Sequence, residues 1–99
     1  MKVNEIKEQI EIEFDLDDLH KRVRYIEYVV ARGLFNYIMH VKEGYSMHRI
    51  ARKYGYCHAT IINSIKKFKQ LMKFKNEFTQ NVDSFLLIYN GKKWEDQKK

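Results

Sequence analysis

Apolar residues recur along this chain at three- and four-residue spacing, and the strict alternation of a half-buried strand is missing. Ile6, Ile10 and Phe14 stand at i, i+4 and i+8 and predict a first helix, with Asn4 as its cap. Asp15 reads as the N-cap of a short second helix, with Asp17 and Asp18 near the positive end of its dipole and Leu16 and Leu19 turned inward. His20 to Arg24 is a basic connection. From Tyr25 to Val41, apolar residues at Ile26, Val29, Val30, Leu34, Tyr37, Ile38 and Val41 predict a long central helix packed on more than one side. Gly33 inside it costs about 1 kcal/mol relative to alanine and would permit a close helix crossing. Gly44 is the expected stop.

The next stretch, Ser46 to Gln70, predicts two helices joined by a tight turn. Ser46 is the expected N-cap, and Met47, Ile50, Ala51 and Tyr54 form one apolar face. Gly55 stands where a helix end needs a residue that tolerates positive φ. A second helix from about His58 carries Ile61, Ile65, Phe68 and Met72 as its buried stripe, with Ser64 on the same side. Ala59, Asn63, Lys66 and Gln70 cluster opposite, with Lys67 beside them. A short helix, a glycine-bearing turn and a longer helix with a basic outer face form a helix-turn-helix pattern over about residues 46–72. A last helix, about Asn76 to Tyr89, places Phe78, Val82, Phe85 and Tyr89 inward, and Gly91 ends it. The expected architecture is all-α, a compact bundle of about six helices forming one domain over residues 1–91. Residues 92–99 read as a polar tail in which Trp94 is a candidate to fold back.

Composition narrows the function. The chain has 99 residues, 44% hydrophobic and 32% charged, which suits one modest core. A single cysteine excludes an internal disulfide framework and fits a reducing compartment. The start lacks the apolar run of a signal peptide, and no stretch approaches membrane-span length, so a cytoplasmic protein without membrane contact is expected. The net charge of +6 is unevenly spread: residues 1–20 sum to −5, residues 21–41 to +3, residues 42–75 to +8 and residues 76–99 to zero. Positive charge therefore gathers on the helix-turn-helix and the segment before it, a distribution that attracts a phosphate backbone through counterion release. Asn63 and Gln70 could pair bidentately with adenine, and Lys66 and Lys67 could reach guanine or phosphate. Arg49, Lys53 and Lys73 are further phosphate candidates.

Catalysis is not expected. The acids at residues 15–18 read as a solvated capping set. Cys57 and His58 are adjacent, so on a helix they point about 100° apart and make a poor nucleophile–base pair. His20, His40, His48 and His58 with Cys57 lack the paired spacing of zinc ligands. No enzyme activity, cofactor, metal or small-molecule substrate is expected.

Several runs resemble a known family. Ser46-Met47-x-x-Ile50-Ala51-x-x-Tyr54-Gly55, then His58-x-Thr60-Ile61, then Lys67-Phe68 is similar to the signature of the C-terminal DNA-binding domain of the bacterial replication initiator DnaA. Val30-Ala31-Arg32-x-x-Phe35-x-Tyr37 resembles that family's long-helix run, and Phe14 to Arg24 its leading segment and basic loop. The resemblance covers about residues 6–88. It implies an all-α domain whose second motif helix enters the major groove of double-stranded DNA. Under that resemblance His58 and Thr60 read bases, and Arg24, or Arg22 in an adjacent register, reaches the minor groove. Arg32 and Ser46 meet phosphates. Two base-reading positions depart from the family: Cys57 replaces an aspartate and cannot accept from a cytosine amine, and Ala59 offers a thymine only a methyl contact. The nucleotide-binding G-x-x-x-x-G-K-[ST] loop of the initiator is missing, so ATP-driven assembly is not expected.

The expected function is a sequence-preferring duplex-binding module acting in replication or transcription, of the kind a phage or mobile element could encode and located with the nucleoid. It would be either a free-standing small protein or an excised domain. The alternative is a protein-interaction module of the same fold that engages a replication or transcription protein. A homodimer is an open option, because a lone half-site binds weakly.

Overall fold

The computed structural model describes residues 2–90; Gly91, Trp94 and the rest of the polar tail lie outside the described residues. Five helices form it: α1 (Val3–Phe14), α2 (Ile26–Tyr37), α3 (Met47–Tyr54), α4 (His58–Leu71) and α5 (Thr79–Asn90), with no strand among the described residues. A π-helical turn, Ile38–Lys42, extends α2. The Cα radius of gyration is 12.3 Å, close to the ~13 Å of a compact chain of this length.

Helix α1 buries Ile6, Ile10 and Phe14, as their spacing predicts. It starts two residues earlier than expected: Lys2, not Asn4, is the N-cap, and the Glu5 carboxylate accepts from the Lys2 N–H at 2.8 Å. The predicted second helix after Asp15 does not form. Asp15 instead ends α1 in the left-handed region at φ +56°, and the Leu16 N–H reaches back to the Glu11 carbonyl at 2.9 Å. The acids thought to cap a helix satisfy an irregular connection. Glu11 accepts from the Leu19 N–H at 2.7 Å and Asp18 from the His20 N–H at 3.1 Å. Local side-chain acceptors thus replace helical carbonyls as partners of these N–H groups. Leu19 is nevertheless fully buried.

Helix α2 is the centre of the packing, against α1 on one side and α4 on the other. Val30, Ala31, Leu34, Phe35, Tyr37 and Ile38 are buried, whereas Ile26 and Val41, expected inside, are exposed at its two ends. The regular helix stops at Tyr37 rather than Val41, because the Glu43 N–H bonds the Ile38 carbonyl five residues back at 2.9 Å. Gly44, at φ +78°, then turns the chain into α3.

Gly33 sits at the crossing of α2 and α4. A Cβ placed on it would lie 2.6 Å from the Phe68 Cβ and 3.1 Å from the Ser64 carbonyl oxygen. One turn on, Asn36, 4% exposed, donates to the Ser64 hydroxyl at 3.0 Å. The last helix begins at Thr79, three residues later than expected, so Phe78 lies just before it, half-buried and stacked on Phe14 at 6.5 Å. Val82, Phe85 and Leu86 close the core over α1.

Gly33→Ala should lower stability by about 1–3 kcal/mol despite the better helix propensity of alanine, because the added methyl overlaps a buried Cβ. Gly44→Ala meets open space and should lose only the roughly 1–2 kcal/mol of its left-handed backbone. Urea midpoints of the two variants against the parent check both.

Candidate nucleic-acid interface

Two helices joined by a tight turn, α3 and α4, form where the sequence placed them. The Ser46 hydroxyl accepts from the Arg49 N–H at 3.1 Å, which starts α3. Gly55, at φ +73°, ends it, with the Tyr56 N–H on the Ala51 carbonyl at 2.9 Å. Ile50, Ala51, Ile61, Ile65, Phe68 and Met72 are buried. That leaves Ala59, Thr60, Asn63, Lys66, Lys67 and Gln70 exposed along α4, and Arg49 and Lys53 exposed on α3. Neither α3 nor α4 contains an acidic residue.

Cys57 is the N-cap of α4 and is exposed, not packed in the core. Its sulfur lies 3.1 Å from the Thr60 hydroxyl. That contact and the backbone at the helix start hold the thiol below its ordinary pKa. His58 is half-buried because its ring stacks on His48 of α3, with centroids 3.9 Å apart and planes 5° apart. Helices α3 and α4 therefore meet through paired imidazoles beside the N-terminal end of α4.

The basic connection, residues 20–24, is fastened to this end from two directions. The Arg32 guanidinium donates to the carbonyls of Lys21 and Val23, both at 2.7 Å, and so ties the loop to α2. The Arg22 guanidinium donates to the Gly55 carbonyl at 2.9 Å and lies 4.7 Å over the Tyr56 ring. The Tyr56 hydroxyl donates to the His20 carbonyl at 3.4 Å. Positions 33 residues apart in sequence thus become neighbours. Arg24 is exposed and makes no hydrogen bond or ion pair with a described residue. Lys73 lies beyond the far end of α4, roughly 20 Å along the helix axis from Cys57.

A groove of about 210 Å³ runs between α2 and α4, with Arg32, Asn36, Tyr56, Thr60, Asn63 and Lys67 on its walls. Arg32, Thr60, Asn63 and Lys67 are among the DNA-contact candidates named from the sequence, which did not predict this groove and did not single out Asn36 or Tyr56. The available signal for Asn36 was a polar residue one turn after Gly33 in an otherwise apolar stripe. No helix among the described residues is long and apolar enough to cross a membrane. Comparison with known protein families, curated proteins and solved structures finds no match.

His20 holds the loop against the motif. Its ring stacks on Tyr54 at 3.8 Å and meets the Phe35 ring edge-on at 5.1 Å. Its Nδ1 and the Tyr54 hydroxyl are buried without a hydrogen-bond partner among the described residues. Burial, reinforced by the positive charge of Lys7, pulls its pKa from 6.5 down to about 4. The unfolded chain thus takes up this proton at higher pH than the folded chain. The stability contributed by a neutral His20 is complete above about pH 6.5 and lost as pH falls toward 4, a change on the order of 2 kcal/mol after allowing for partial exposure of the ring. His20→Phe keeps a flat ring without the titration. The difference in unfolding free energy between parent and variant, measured by urea at pH 7 and pH 4.5, should therefore move in favour of the variant at the lower pH.

Proposed function

We propose that this chain is a double-stranded DNA-binding module that reads sequence with α4 in the major groove and with Arg24 in the adjacent minor groove. The observation that carries the reading is the exposed, acid-free face of α4, with the arginine-bearing loop fastened beside its N-terminal end. An α-helix fits the major groove, and Asn63 presents an amide capable of bidentate pairing with adenine. Cys57, His58, Ala59 and Thr60 stand at the end that would enter first, where Ala59 supplies a methyl contact for thymine. Arg49, Lys53, Lys66, Lys67 and Lys73 supply phosphate contacts from both helices of the motif.

The polar engagements refine the roles. Ser46 spends its hydroxyl on the α3 cap, so its contact with phosphate would come through the N–H groups of that helix start. Arg32 and Arg22 already hold backbone carbonyls, and their contribution is to position the loop and to add field. Arg24, unengaged by any described residue, is the side chain left to enter the minor groove. This assignment agrees with the resemblance to the DnaA DNA-binding domain and would place the protein with nucleoid DNA. A module with this face and no nucleotide-binding loop would occupy sites and regulate replication or transcription without opening the duplex.

Titration of labelled duplex at several salt concentrations tests the reading. Log affinity should fall linearly with log salt, with a slope near −0.9 per phosphate contacted, roughly −4 to −6 for this set. A salt-independent response, or no binding at low salt, would refute it. On a sequence selected from a random duplex pool, Asn63→Ala should lose about 1–3 kcal/mol and relax specificity at one position. Lys66→Ala should weaken all sequences alike and reduce the salt slope by about 1.

A further inference from the structure

The turn between α4 and α5 presents a side chain that the fold does not use. Phe74 is 79% exposed, more than any other large apolar side chain among the described residues, while Phe68 and Phe85 nearby in sequence are in the core. The turn that carries it is firmly built. The Asn76 side chain donates to the carbonyls of Leu71 at 2.7 Å and Phe74 at 3.2 Å, and accepts from the Phe78 N–H at 2.8 Å. The Asn76 N–H donates to the Thr79 hydroxyl at 2.8 Å. One residue thus closes the end of α4 and the start of α5, and holds the Phe74 backbone between them.

Two lysines flank Phe74 in sequence. Lys73 and Lys75 are exposed and form no ion pair with a described residue; Glu77, the nearest acid in sequence, is also exposed. The ring also lies at the end of a continuous face. Asn63, Lys66, Gln70 and Lys73 recur at i, i+3, i+7 and i+10, are all exposed, and lead to Phe74 over about 15 Å.

We infer that the Lys73-Phe74-Lys75 turn holds an unpaired nucleic-acid strand, with the ring stacked on a base and the lysines on the flanking phosphates. The inference rests on the duplex-binding reading of the same α4 face and extends its partner to a duplex that carries a single-stranded arm. Within a closed duplex the base faces are already stacked on one another, so an unpaired base offers its π-face to Phe74 without the cost of unstacking. Such stacking tolerates any base, because every base has a π-face. A protein partner fits less well: the ring stands between two positive charges rather than in a contiguous apolar patch. A second copy of this chain would bring four ammonium groups together.

Three labelled probes test it: a blunt duplex of selected sequence, the same duplex with a ten-thymine overhang of either polarity, and the thymine strand alone. The parent should bind one overhang duplex about tenfold more tightly than the blunt one. Phe74→Ala should remove that gain and leave blunt-duplex affinity unchanged, while Phe74→Tyr should retain it. In a Trp94→Phe background, Phe74→Trp fluorescence should be quenched by the overhang probe and not by the blunt one. Equal affinity for blunt and overhang probes, or an overhang gain that survives Phe74→Ala, would overturn the inference while leaving duplex binding intact. Loss of blunt binding with a Phe74-dependent response to the thymine strand would instead overturn the duplex reading and keep the strand site. Concentration-dependent self-association abolished by Phe74→Ala, without any overhang gain, would assign the ring to a dimer contact and refute the inference.

Discussion

The close approach of α2 and α4 at Gly33 is the constraint on which the rest of the structure depends. With no side chain at Gly33, Phe68 and the Ser64 carbonyl come into contact with the α2 backbone, and no larger residue fits there. A crossing this tight fixes the distance between the helices. The Asn36–Ser64 hydrogen bond fixes the rotation of α4 about its own axis, because a buried amide left unpaired would cost about 1–3 kcal/mol. Rotation decides which residues of α4 meet solvent. Ser64 points inward to Asn36, and Ala59, Asn63, Lys66 and Gln70 consequently point outward. The core and the candidate interface are thus two faces of one packing decision.

A second set of contacts settles how the basic loop relates to that face. Arg32 and Arg22 each donate to backbone carbonyls that no secondary structure satisfies, so two of the three arginines in the region act as clamps. An arginine suits this work because its planar fork presents several donors at once. His20 and Tyr56 complete the attachment through ring packing and one hydroxyl. The electrostatic consequence is unchanged, since clamped guanidinium groups remain charged. What differs is reach: of these three arginines, Arg24 alone is not held by a described residue.

Much of this was legible in the sequence. Helical periodicity located α1, α3 and α4 and their buried residues, since each has an apolar stripe. Ser46, Gly44 and Gly55 carried their conformations openly, as a cap and two left-handed turns. The helix expected after Asp15 does not form, because acids near a chain reversal satisfy N–H groups in a loop as well as at a helix start, and residue type alone does not separate the two. The premature end of α2 had no sequence marker either, because a π-helical turn requires no glycine or proline. Lysine and arginine content marked the stretch of α3 and α4 as basic. It did not show which cations are spent inside the fold, since that depends on contacts such as Arg22 with Gly55, far apart in sequence. Phe74 was unremarked for a similar reason, as exposure of a lone aromatic near a helix end is decided by the turn geometry set by Asn76.

The central claim is that a single rigid surface, made of the outer face of α4 and the loop bearing Arg24, meets duplex DNA. Backbone amide chemical shifts recorded as duplex is added test it most directly. Perturbations are expected at Arg24, at Cys57 to Asn63 and at Lys66 and Lys67, with the amides of α1 and α5 unmoved. Perturbations centred on α1 or α5, or a spectrum unchanged by excess duplex at low salt, would contradict it.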